Sequence, residues 1–177
     1  SKEKIINQAF KFHSQGNIPE ALKHYQYFIN QGFKDHRVFA NYGTLLKNLG
    51  KLKEAEISIR KAIQLKPNFA NGYLSLGLIL IDLGKSKEAE TSIRKAIQLK
   101  PDYFLAHSVL GVLLSKFGNP KEAERLIRKA IQIKPDLPEA HYNLGNILKD
   151  LGKSQEAESS YLKAVEIKPD FVSAHLN

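Results

Sequence analysis

Between residues 70 and 103 the apolar positions Tyr73, Leu76, Leu80 and Leu83 recur at spacings of three and four, which is one stripe of an amphipathic helix. A second stripe follows Gly84, made of Ala89, Ile93, Ala96, Ile97 and Leu99. It stops before Lys100-Pro101, because proline cannot extend a helix and disfavours helical geometry in the residue ahead of it. The segment predicts two helices joined by a tight turn at Leu83-Gly84-Lys85, with Gly84 in the left-handed conformation that ends the first helix. Gly77 and Ala89 fall where the two helices must approach closely, and Ala96 falls where the pair meets the next one.

The same pattern returns every 34 residues. Gly43, Gly77, Gly111 and Gly145 keep this spacing, as do Gly50, Gly84, Gly118 and Gly152. So do Ala55, Ala89, Ala123 and Ala157, and Pro67, Pro101, Pro135 and Pro169. Full copies span 36–69, 70–103, 104–137 and 138–171, preceded by a divergent copy at 2–35 in which Phe28 and Phe33 replace the usual alanine and proline. Residues 172–177 open a partial sixth copy. One helix pair cannot bury its own stripes, so the pairs are expected to stack into a single solenoid domain over 1–177.

This helix-turn-helix, with its Leu-Gly, Glu-Ala, Lys-Ala and Lys-Pro-Asp punctuation, resembles the tetratricopeptide repeat (TPR) family over nearly the whole chain. Phe39, Tyr73, His107 and His141 stand where that family has its first-helix tryptophan. The resemblance implies an all-α, right-handed superhelical solenoid whose first helices line a concave groove and whose second helices face outward. It also implies a protein or peptide partner and no chemistry.

By the same resemblance, the first helices present Asn41, Thr44 and Lys47 to the groove from the second copy, and Leu74, Leu78 and Ile81 from the third. The fourth copy supplies Leu105, Val109 and Val112, and the fifth Asn143 and Asn146. The expected groove is apolar in the middle and polar at both ends, and an apolar patch of this kind commonly marks a binding site. The opposing expectation is that curvature buries Leu74, Leu78 and Val112 against neighbouring first helices. Asn7, Asn41, Asn143 and Asn177 share one position, similar to the asparagine ladder of O-linked N-acetylglucosamine transferases, which grips a peptide backbone. Here Ser75 and Val109 interrupt it. The two-carboxylate clamp of Hsp70 and Hsp90 co-chaperones would need lysines and asparagines at Ile6, Phe10, Asn41, Asn71 and Ser75, and of the clamp's required residue types this sequence keeps that at Asn41. The clamp reading is therefore rejected.

Composition adds limits. With 42% hydrophobic and 25% charged residues the chain has a folding composition, and its apolar run near Leu78–Leu83 is far shorter than the ~20 residues of a membrane span. The opening Ser1-Lys2-Glu3-Lys4 does not read as a signal peptide, and the lack of an initiator methionine suggests processing or a piece of a longer chain. No cysteine is present, so thiolate chemistry is excluded, and cytoplasm is the default location. His107, His141 and His175 recur with the repeat, but stacked helices lie ~8–10 Å apart, too far for their ring nitrogens to share one zinc ion. Glu56, Glu90 and Glu124 stand four residues before Arg60, Arg94 and Arg128, the favourable order for helical ion pairs. These carboxylates are expected to be solvated structure, with no catalytic residue, metal or cofactor.

The net charge of +9 is spread as +2, +5, +1, +3 and −2 from the first copy to the fifth. Nucleic acid is not favoured, because Phe69, Tyr103 and Phe171 sit at repeat junctions rather than in a basic groove. The sequence therefore predicts a non-catalytic interaction scaffold that binds a peptide or amphipathic helix. The alternatives are the substrate-recognition arm of a larger transferase and a structural solenoid that self-associates through its incomplete C-terminal end.

Overall fold

A computed structural model describes residues 1–170, and among them it contains ten α-helices and no strand. The first helices of the five copies are α1 (Lys2–Ser14), α3 (His36–Asn48), α5 (Ala70–Asp82), α7 (Phe104–Lys116) and α9 (Pro138–Asp150). The second helices are α2 (Ile18–Asn30), α4 (Leu52–Leu65), α6 (Ser86–Leu99), α8 (Pro120–Ile133) and α10 (Ser154–Ile167). The expected partial sixth copy, 172–177, with His175 and Asn177, lies outside the described residues.

The turns follow the predicted chemistry. Gly84 has φ 74°, and beside it Lys85 N–H donates to the Leu80 carbonyl at 2.8 Å while Gly84 N–H donates to Ile81 at 2.9 Å. That pair of bonds satisfies carbonyls that the end of α5 would otherwise leave open. At the other joint, from second helix to next first helix, Phe69, Tyr103 and Leu137 take the N-cap position without a side-chain hydrogen bond. They pack instead: the Phe69 ring meets His36 edge-on at 5.2 Å between centroids.

The chain divides into two compact units, Ser1–Ser92 and Ile93–Asn177, with the boundary inside α6. In the first unit α1, α2, α3, α4 and α5 pack in sequence, and α3 also touches α5. Ala55, Ile59 and Ala62 line the inner side of α4 and are fully buried. Gly43 lets α3 approach them, since a Cβ there would lie 2.8 Å from Ile59 Cγ1. The divergent first copy closes its own core with aromatics. Tyr25 and Phe28 are fully buried, and the Phe28 ring meets Phe33 tilted at 5.3 Å between centroids, so the two substituted positions pack against each other.

In the second unit α7, α8, α9 and α10 pack in sequence, and α7 also touches α9. Ala123, Ile127 and Ala130 repeat the buried stripe of α4, and Gly111 repeats Gly43, with Ile127 Cγ1 2.8 Å from its virtual Cβ.

Candidate functional site

Within the first unit the expected binding positions divide by burial. Thr44 is exposed, its hydroxyl bonded back to the Ala40 carbonyl at 3.0 Å. Lys47 is half-buried and reaches Asp82 of α5 at 3.4 Å, so the ion pair ties two first helices together. Leu78 and Ile81 are half-buried, whereas Leu74 is only 5% exposed. Leu74 therefore departs from the expectation: its side chain is consumed by packing and is not available to a partner. Asn41 is half-buried as well, and its amide donates to the Tyr25 hydroxyl at 3.3 Å. That hydroxyl also lies 2.9 Å from His13 Nδ1. Burial pushes the Tyr25 phenol above its ordinary pKa, with the Asn41 bond acting in the opposite sense, so it is a neutral link in this chain of bonds at pH 7.

In the second unit Leu105 is 47% exposed, and Val109, Val112 and Asn143 are half-buried. Asn146 is exposed, and its Oδ1 accepts from the Tyr161 hydroxyl at 2.8 Å. Of the four asparagines at the shared position, Asn7 is exposed, Asn41 is tied to Tyr25, Asn143 is half-buried and Asn177 is outside the described residues.

The periodic titratable groups resolve into scaffolding. His107 Nε2 and His141 Nε2 each lie 2.8 Å from a carbonyl, those of Pro101 and Pro135. A carbonyl can only accept, so each Nε2 carries the proton and donates. The rings brace the joints between copies, and the His107 Nδ1 is buried without a partner. Arg60 grips Glu56 at 2.8 Å and Arg128 grips Glu124 at 2.9 Å, as the i,i+4 spacing predicts.

Packing adds bonds that the spacing within one helix does not reveal. Arg60 also reaches Glu88 at 3.1 Å, Arg94 reaches Glu122 at 3.0 Å and Arg128 reaches Glu156 at 2.8 Å, each 28 residues on. Lys85 and Lys153 reach back to Glu56 and Glu124, both at 3.0 Å. Burial acts to raise the carboxyls of Glu56 and Glu124, but hydrogen bonds and charge from these cations outweigh it and hold both below the ordinary value. None of the described helices is long and apolar enough to cross a membrane.

Comparison with known proteins agrees with this architecture. Residues 7–134 match the family model for the cilia and flagella-associated protein 70 middle TPR-like domain, and residues 138–171 match that of the tetratricopeptide repeat. A 67-residue stretch, 38% of the chain, is 39% identical to the Hsp70-Hsp90 organizing protein of Triticum aestivum. The match spans 11% of that relative's length. Among solved structures, MamA from Desulfovibrio magneticus RS-1 superposes with a TM-score of 0.84 at 20% identity, covering 96% of both chains. YrrB, a TPR protein with an unusual peptide-binding site, gives 0.79 at 22% identity over 97% of this chain and 89% of its own. At these identities the structural likeness carries the fold alone, the all-α TPR solenoid. The repeat punctuation, the paired helices and the family match over residues 7–134 lead to one assignment: the chain belongs to the tetratricopeptide repeat family.

Proposed function

We propose that the protein is a non-catalytic, cytoplasmic interaction scaffold whose first helices hold a peptide or amphipathic helix. The observation that carries this reading is apolar surface where the fold does not need it. Leu105 is 47% exposed on α7, one turn before the half-buried Val109, and Leu78 and Ile81 lie half-buried on α5. Solvated apolar side chains at helical spacing are the usual docking contacts of an amphipathic partner. Membership of the repeat family and the likeness to YrrB, a TPR protein with an unusual peptide-binding site, point the same way. Thr44 and Lys47 in the first unit, and Asn143 and Asn146 in the second, supply polar contacts that set the position of a partner rather than the strength of binding. No cofactor takes part.

The test is a photo-crosslinking amino acid placed at Leu105 in cells, with the same label at the outward Lys129 as control. A polypeptide adduct specific to Leu105, lost on Val109→Asp with Val112→Asp on the same helix, is the expected result. Two apolar side chains buried in a partner contribute roughly 3–6 kcal/mol before ordering costs, so the loss should be at least ~100-fold. Equal adducts at both positions would overturn the reading.

A further inference from the structure

The second helices carry a repeating furrow whose chemistry changes from copy to copy. In the second unit it lies between α8 and α10 over α9, with a cavity of about 590 Å³ lined by Ile131, His141, Leu144, Ser159, Leu162 and Lys163. In the first unit the equivalent furrow, 102 residues earlier, lies between α2 and α4 over α3 and is larger, about 800 Å³. There Phe39 and Tyr42 replace His141 and Leu144, and Ile57 replaces Ser159. Ile57 is 71% exposed, at a position where the other copies have Lys23, Thr91, Arg125 and Ser159.

This furrow also lacks the ion pairs that span the others. The residue corresponding to Arg60 is Gln26, and the one corresponding to Glu56 is Leu22, so neither cross-copy bridge can form between α2 and α4. Gln26 turns instead to the Tyr42 hydroxyl and to Asn30. The half-buried Ile29 and Tyr42 are left partly open to solvent beside Ile57, over the buried Leu46.

Charge indicates what fits. Lys53 and Lys61 stand four residues either side of Ile57, so the three side chains form one line along α4. Lys61 donates to the neutral Gln64 at 2.8 Å, and Arg60 is already neutralised by Glu56 and Glu88. The copy that supplies this line holds the largest excess of positive charge, +5. Glu54 is the opposing carboxylate on the furrow, and it faces Tyr42. From this geometry we infer that the α2–α4 furrow is a second docking site, which takes an acidic peptide segment with a large apolar anchor. The anchor sits on Tyr42 and Ile57, and flanking carboxylates meet Lys53 and Lys61. A nucleic-acid backbone fits poorly, because the floor is apolar and Glu54 would face its phosphates.

The experiment is selection from a random dodecapeptide display library on the intact 177-residue chain, after depletion on the Ile57→Ser variant. Serine is the natural residue at the equivalent position 159, and Ile57 is solvated, so the variant keeps its fold. The expected pool carries Asp or Glu around a Leu, Ile or Phe. A synthetic peptide from it should bind at least ~10-fold more weakly to Ile57→Ser and to Lys53→Glu with Lys61→Glu, and recover on Ile57→Leu. Its affinity should fall between 50 and 500 mM salt, as expected for exposed charges. Failure to enrich any peptide after depletion, a basic or neutral consensus, or indifference to the charge reversal would each overturn the proposal. Leu105→Asp should leave this binding intact, which separates it from the first-helix reading.

Discussion

Glycine has two different jobs in this repeat, and substitution separates them. At Gly111 the backbone has ordinary helical geometry and the constraint is space, with Ile127 Cδ1 and Cγ1 both 2.8 Å from a virtual Cβ. At Gly118 nothing lies within 4 Å and the constraint is φ, which is 79°. Gly111→Ala should cost about 1–3 kcal/mol through overpacking, and Gly118→Ala about 1–2 kcal/mol through left-handed strain. Asparagine distinguishes them, because it tolerates the left-handed region but is larger than alanine. In urea melts, Gly118→Asn should be more stable than Gly118→Ala, whereas Gly111→Asn should be worse than Gly111→Ala. A common ranking at both sites would refute the distinction. The asparagines divide similarly. Asn41→Ala removes the bond to the Tyr25 hydroxyl and should lower stability by about 1 kcal/mol, in addition to any effect on binding. Asn143→Ala should leave the melt unchanged, so a matching loss there would show that the shared position is structural in every copy.

Between helices, the ion pairs make stability depend on pH in a known direction. The carboxylates of Glu56 and Glu124 are 13% and 15% exposed, and each is held by an arginine on its own helix and a lysine from the next copy. Their folded pKa values lie below the unfolded reference of roughly 4.3, so they stabilise the fold fully above that value. The contribution is lost as pH falls through the folded values. Glu56→Gln with Glu124→Gln should therefore cost about 1–2 kcal/mol at pH 7 and less at pH 3, as read from denaturant midpoints at each pH. An equal cost at both pH values would mean that the side chains act through packing rather than charge. Sequence spacing alone predicted the pairs within one helix, because Glu56 and Arg60 are neighbours on any α-helix. The bridges at 28 and 29 residues were not legible, since they depend on how far one copy is displaced from the next. Helix ends were legible for the opposite reason: Gly84 and Pro101 act locally, whatever packs around them.

At the scale of the whole molecule, repetition made the fold legible, and it also hid part of the candidate site. Leu74 and Leu78 look alike in sequence, yet one is buried and the other half-buried, a difference decided by neighbours rather than by hydropathy. The signal for the furrow was present at Ile57, an apolar residue where other copies are polar, but it stands on a second helix, away from the face that the family resemblance favoured. The net charge of +9 raises a last question, whether the chain binds nucleic acid. Arg60, Arg94 and Arg128 each bridge to a glutamate of the next copy. The Phe69 and Tyr103 rings pack at joints beneath Lys66 and Lys100, at 5.9 and 4.9 Å. Exposed aromatics do occur, at Tyr27 and Phe117, but one is on α2 and the other ends α7, so neither unit offers the row of stacking rings that single-stranded nucleic acid requires. Binding should therefore be the weak, sequence-independent kind set by net charge, with Kd above roughly 1 μM near physiological salt for both a duplex and a single strand. Fluorescence anisotropy with labelled 20-mers from 50 to 300 mM NaCl checks it. Sub-micromolar affinity that persists at the higher salt would mean that bases are being read, and would replace the protein partner proposed above with a nucleic acid.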